Sequence, residues 1–518
     1  MQSKALWLGI VFSFCGLQAQ VLDTTFGTNG LVTTNVHPTL NIETLQTLLV
    51  LENGQLLVGG TDNTNGYLLR YNTDGSLDTT FHNNGVLLLP VRAVVDLVAD
   101  SNNTIYLLAQ KNDINSYYDF VIGKMDGEGN FDNSFGTNGL RVYNLGSLTD
   151  DIGYGFTLQS DGKIVVVGNT SLGSGSLSQI FVARILPNGD FDTTFSSDGR
   201  AFVEMINHRQ LLNHVSILPD GRILGSGEVT LTTGSNQTRI CVVRFLPNGD
   251  LDTSFSDDGF TYFNIGTQGA SGSDSHVLLP DNSVILGGST YSPDNPGVIR
   301  NFALVKLTES GELDTSFGTD GKVVSLIPSF YAEIQKLVQY GEHLFGFGYS
   351  YQTGVGNENF TLAKYDLDGT LVTDFGENGF LFTDFFGRAD IGYTIAIDET
   401  TILLGGFATV SSSPTNRHFA MARYVDDNGL SVANNTLVTK IHVSPTHFSE
   451  SIQLYTNEPQ QVEVYLFDLS GKLLHQKALP LTNEPNTLSL SGLTSGMYLL
   501  QISSQNGERV QTVKVVKS

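Results

Sequence analysis

The sequence predicts an all-β chain, and three observations predict it. A nine-residue motif built around phenylalanine recurs seven times, at Phe26, Phe81, Phe135, Phe195, Phe255, Phe317 and Phe375, at intervals of 54 to 62 residues. Each period holds four strand-like runs separated by turns bearing Gly, Asn and Asp. Past residue 436 the period stops and shorter alternating runs take over. Four antiparallel strands, repeated seven times in units of about 58 residues, describe a seven-bladed β-propeller, and the terminal stretch reads as a small β-sandwich.

The chain has 518 residues, too many for one compact core unless the fold is a ring or a solenoid. A solenoid would need shorter units and polar caps. Glycine is frequent, at 56 residues, and only 15% of residues are charged, which suits half-buried strands joined by tight turns. The net charge of −25 and the lack of a basic stripe exclude nucleic acid as a partner class, because such binding rests on neutralising phosphates.

The elements follow in order. Residues 1–19 read as a signal peptide: Lys4 opens it, Ala5 to Leu17 is apolar, and Ala19 is a small residue suited to cleavage. Cys15 is preceded by FSF rather than the small residues of a lipidation site. Residues 20–430 form the repeat, 431–436 a polar linker and 437–518 the terminal domain. No later run is long and apolar enough to predict a membrane helix. Cys241, in RICVVRF, reads as a small buried apolar residue rather than a reactive thiol.

Within a period, the motif (LDTTFGTNG at Leu22 to Gly30) leads into a strand, then a hairpin such as FTLQSDGKIVVVG, then a last strand such as FVARILPNG. The first motif has no strand before it, and the last strand, ending near Tyr424, has no motif after it. The ring is therefore expected to close by the segment from Leu22 to Val36 packing beside that strand.

The last strand of each unit carries one basic residue in apolar company: Arg70, Lys124, Arg184, Arg244, Lys306, Lys364 and Arg423. Eight positions on stand Asp78, Asp132, Asp192, Asp252 and Asp314. A charge in an apolar strand needs a partner. The spacing predicts a repeated structural pair, with Asp23 serving Arg423 if the ring closes. Lys364 meets Val372 at that spacing, with Asp374 nearby. The alternative is that the basic residues line a channel and bind anions.

Chemistry-bearing motifs are sparse. Asp74 and Asp78, and Asp366 and Asp368, echo the alternate-oxygen spacing of calcium loops, but no glutamate closes either loop. They are candidates for calcium; no other metal or cofactor is predicted. Metalloprotease, P-loop, nucleophile-elbow and dinucleotide signatures are absent from the sequence, so no catalytic residue is assigned. Irregular insertions at Ser171–Ser178, Thr230–Thr238, Tyr291–Arg300 and Tyr351–Asn359 break the repeat and are the expected place for a glycan or protein ligand.

Two resemblances rest on these residues. VYLFDLSGKLL, LSGLTSGMYLLQI and the basic end VKVVKS closely resemble the type A C-terminal sorting domain of the type IX (Por) secretion system of Bacteroidetes. Its motif positions here are Asp468, Gly471, Lys472, Gly492, Gly496 and Tyr498. The family's Pro-Asn-Pro-like element is reduced to Pro445. This resemblance implies passage across the outer membrane, recognition by the type IX machinery, and a secreted or cell-surface product. The [LF]D[TN][TS]F core with its closing [ND]G resembles the delta-60 repeats of bacterial surface proteins, which implies a β-propeller and brings no activity. The expected function is a monomeric binding or adhesion module. The alternative is a polysaccharide-active lyase or hydrolase with its site in the propeller channel, marked by a non-repeated cluster of His, Tyr, Arg or carboxylates.

Overall fold

The computed structural model describes residues 21–425 and 441–517, apart from short stretches, chiefly 38–41, 114–116, 172–176, 204–207, 232–237, 266–270, 292–299, 353–356, 412–415, 457–459, 468–471 and 505–508. Residues 1–19, expected to be a signal peptide, residues 431–436, expected to be a linker, and most of the four insertions thus lie outside the described residues. The chain divides into two compact units, residues 1–430 and 431–518.

The first unit is all-β. Among the described residues it holds seven antiparallel sheets, six of them laid down in chain order from first to fourth strand. Their first strands are Thr44–Val50, Ala93–Ala99, Asp151–Leu158, His208–Ile217, Ser271–Leu278, Phe330–Tyr340 and Asp390–Ile397, here sheets one to seven. The second and third strands are the apolar runs of the sequence and are almost wholly buried, as in Leu56–Thr61 and Gly66–Tyr71. The fourth strands are short, four residues each, as in Val86–Leu89, which limits unwanted pairing at an open edge.

Sheet seven closes the ring. Its third strand, Arg417–Val425, pairs with Leu31–Thr34 in the register Leu31↔Ala422 to Thr34↔Phe419, and Val21 and Leu22 pair with Val425 and Tyr424. The open ends of the repeat thus complete one another. Apolar clusters lie between successive sheets, and one joins Leu403, Phe419 and Met421 of sheet seven to Leu45, Val58 and Leu69 of sheet one.

Alternation of strand direction fixes which loops share a face. Second-to-third connections and sheet-to-sheet connections leave from one face; first-to-second connections and the phenylalanine motifs leave from the other. All four irregular insertions join second to third strands, so they belong to one face, opposite the motifs.

The second unit stacks a three-stranded sheet (His442–Ser444, Ser451–Tyr455, Asn486–Ser489) and a five-stranded sheet (His447–Phe448, Arg509–Lys517, Gly496–Ser504, Gln460–Phe467, Leu473–Leu481) over a core that includes Ile452, Val464, Leu488 and Leu500.

Candidate functional site

The motif residues occupy the joints between sheets. Arg70 Nε stands 2.8 Å from Asp78 Oδ2, Arg184 Nε 2.8 Å from Asp192, Arg244 Nε 2.7 Å from Asp252, and Lys124 and Lys306 Nζ each 2.9 Å from Asp132 and Asp314. Arg423 reaches Asp23 at 2.8 Å across the closure. The other oxygen of each aspartate accepts from the backbone N–H and the hydroxyl two residues on, as in Thr25, Thr80, Ser134, Thr194, Ser254 and Ser316. Hydrogen bonds from Thr80, Ser134 and Ser316, with those from the basic residues, hold Asp78, Asp132 and Asp314 down at about 2.

Each arginine also tethers its sheet to the next. Arg70 Nη1 donates to Gly127 O at 2.9 Å and Arg184 Nη1 to Pro247 O at 2.5 Å, while Arg244 and Arg423 donate likewise to Glu309 O and Thr73 O. The guanidinium lies over the motif ring, 4.4 to 4.8 Å from the centroids of Phe26, Phe81, Phe195 and Phe255. Those four rings, with Phe135, Phe317 and Phe375, are at most 3% exposed. Sheet six departs from the pattern. Lys364 forms no ion pair among the described residues, with Asp374 or otherwise, because the eighth position is Val372; it lies 5.7 and 5.9 Å from the rings of Phe345 and Phe375 instead. None of the seven basic residues is among those lining the cavity bordered by Gln46, Asp96, His214 and Lys336.

The calcium candidates are occupied by local contacts. Asp78 serves Arg70 and Gln55, Asp74 accepts from Ser76, Asp368 from Thr370, and Asp366 lies 3.1 Å from His343 Nδ1. Among the described residues, no group of three or more His, Cys, Asp or Glu has a metal-binding arrangement. Cys241 is fully buried, and that burial pushes its thiol pKa up.

The repeat breaks at the insertion-bearing face of sheets four to six. Arg300, at the start of a third strand, lies 5.1 Å over the Tyr291 ring and 5.6 Å over that of Tyr331. Its Nη1 is 3.7 Å from Glu333 Oε1, and its Nε is buried without a partner. Tyr349 donates to Glu333 Oε2 at 3.0 Å, and Tyr331 stacks on Tyr351 at 4.9 Å. Glu228, on the second strand of sheet four, is pushed up to about 7 by burial and by the charge of Glu333, against the pull of Arg300 and Arg209. Strand register shows how far this departs from the repeat. The positions matching Glu333 in other sheets are Thr44, Ala93, Ile152, Leu211, Gly272 and Ile391, and those matching Glu228 are Thr61, Gln110, Asn169, Ser289, Tyr349 and Phe407. Sequence reasoning named the insertion ends Tyr291, Arg300 and Tyr351 but missed Glu228, Tyr331, Glu333 and Tyr349. The signal was a charge at a strand position that is apolar or small in the sister copies of Glu333 and uncharged in those of Glu228.

In the sorting unit, Asp468 and Gly471 lie outside the described residues. Lys472 and Gly492 are exposed, Gly496 opens its strand, and Tyr498 is buried with its hydroxyl donating to Thr494 O at 2.7 Å.

A family model for the DUF5122 beta-propeller domain, a domain of unknown function, matches residues 51–81, 159–195, 218–255 and 279–317. A model for a secretion system C-terminal sorting domain matches residues 443–518. No curated protein matches the chain. Among solved structures, PorZ, a surface component of the type-IX secretion system of Porphyromonas gingivalis, is 11% identical, with 90% of this chain and 58% of PorZ covered and a TM-score of 0.37. The chain thus spans little more than half the length of PorZ. Virginiamycin B lyase from Staphylococcus aureus is 15% identical over 76% of this chain and 98% of its own, with a TM-score of 0.42. A protein of unknown function from Dyadobacter fermentans is 11% identical over 77% and 100%, with a TM-score of 0.38. The chain carries DUF5122 beta-propeller repeats followed by a secretion system C-terminal sorting domain, which indicates export through the type IX system.

Proposed function

We propose that the chain is a surface-presented binding module and that its ligand is a glycan docking on the insertion-bearing face of sheets four to six. The observation that carries this is the Tyr291–Arg300–Tyr331–Glu333 cluster, where the repeat is broken. Pyranose rings offer a C–H face to aromatic rings and paired hydroxyls to planar forked groups. Stacked tyrosines beside a guanidinium and a carboxylate supply both. The test is a glycan array probed with the full chain, with saturable binding to a defined glycan class as the expected outcome. Binding to no glycan would overturn the reading.

A second reading has its own observation. Glu228 is a carboxyl pushed up by burial and by the charge of Glu333, the kind of group that holds a proton for acid–base cleavage of a glycosidic link. Turnover in a polysaccharide-degradation screen, lost in Glu228→Gln, would select hydrolase or lyase over binding module.

A further inference from the structure

All seven first strands carry a bulge at one register, where two residues oppose one on the second strand. A bulge re-aims a side chain, and here the bulges turn side chains toward the ring axis. Gln46, Tyr154, Asn213 and Tyr393 sit at bulges and, with Gln110, border an axial cavity of about 260 Å³. The next residue of each strand also reaches this cavity in five sheets. It is threonine in two of them, Thr47 and Thr394, and Asp96, His214 and Lys336 in sheets two, four and six.

These three ionisable groups are not equally satisfied. Asp96 Oδ1 accepts from Leu97 N at 2.9 Å and from Thr47 Oγ1 at 3.1 Å. His214 packs edge-on against His276 at 4.4 Å. His276 is fixed by Ser226 Oγ at 2.6 Å and Ser216 Oγ at 2.9 Å, whereas His214 Nδ1 is buried with no partner. Among the described residues, Lys336 makes no hydrogen bond and has no carboxylate within 4.0 Å, although its charge is felt at Asp96, His214 and His276. An ammonium thus borders a polar cavity with no carboxylate at contact distance, and the imidazole beside it keeps a buried nitrogen without a partner.

We propose that the axial cavity binds a small organic carboxylate. Its carboxylate group is taken by Lys336, and its hydroxyl by the amide of Gln46 or Gln110. The volume holds about eight waters or one small acid. Phosphate suits the site less well, because its second charge would face Asp96.

The test is calorimetric titration of the full chain with glycolate, and with inorganic phosphate in parallel. Glycolate is expected to bind saturably below about 10 mM. Lys336→Met, folded by circular dichroism, should weaken it at least about tenfold, and Asp96→Asn should tighten it about threefold by removing a like charge. Three results would overturn the proposal: no glycolate binding up to about 50 mM, which leaves a water-filled channel; equal binding to wild type and Lys336→Met; or a preference for phosphate. The glycan array reads the Tyr291–Arg300–Tyr331 cluster and the titration reads Lys336, so either assay can fail without the other.

Discussion

Arg244→Met probes the joint where the structure is most specific. Arg244 is 1% exposed; it bonds Asp252, Glu309 O and Ser254 Oγ, and covers the ring of Phe255. Methionine keeps the apolar stem and removes every polar contact, leaving a carboxylate that is itself 6% exposed. Breaking a buried pair from one side costs about 3–5 kcal/mol. Arg222 Nη1, 3.4 Å from the same oxygen, retains part of the compensation and places the expected loss near the lower end, about 3 kcal/mol. The assay is urea unfolding followed by circular dichroism, read as a shift in midpoint at constant slope. Arg244→Met/Asp252→Val recreates the neutral partner of sheet six and should recover about half the loss. Lys364→Met, with no ion pair to break, should cost under about 1 kcal/mol. If Lys364→Met costs as much as Arg244→Met, or the double variant recovers nothing, the joint is not held together by its charge pair.

Further outcomes follow from the same geometry. Stability should peak near pH 4: burial lifts Glu43 from 4.5, and Asp390 from 3.8, to about 7, so each destabilises the fold as pH rises through that range, by on the order of 3 kcal/mol when complete. Asp78, Asp132 and Asp314, held at about 2, make the opposite contribution, which is lost as pH falls below 4; a midpoint still rising at pH 8 would contradict this. Neither calcium nor a chelator should move the melting temperature by more than about 1 °C, because the oxygens of Asp74, Asp78 and Asp368 already have partners, and a rise of several degrees with calcium would restore the loop reading. Deleting residues 21–36 removes the strand on Ala420 and Ala422 and the partner of Arg423; cooperative unfolding of the first unit should be lost, and an unchanged midpoint would refute closure by the N-terminal segment.

The frame was legible because the repeat writes each constraint many times. Eight positions from Arg184 to Asp192 is a local spacing that the strand and its turn convert directly into contact, and D-x-[ST] shows the second oxygen's partner. The reach of Arg184 to Pro247 O is not local: it depends on one sheet packing on the next, 63 residues on. Loop faces follow from strand alternation only once the strand order is known. The bulges escaped notice because each adds a single residue to an otherwise alternating run, as at Gln46. Glu43, Asp151 and Asp390 share one register and receive N–H groups of the preceding sheet-to-sheet connector, from Val36, Leu145 and Phe385. In sequence they are three unrelated acids. Glu228, Arg300 and Glu333 likewise meet only because the ring brings sheets four to six together.

The central claim is that the repeated residues build the ring and the repeat-breaking ones bind. The most direct measurement is glycan-array affinity of the full chain against Arg300→Met, Tyr331→Ala and the joint variant Lys124→Met, all checked for folding. Loss of at least about tenfold in the first two, with Lys124→Met unchanged, is predicted. Undiminished binding by Arg300→Met and Tyr331→Ala would contradict it.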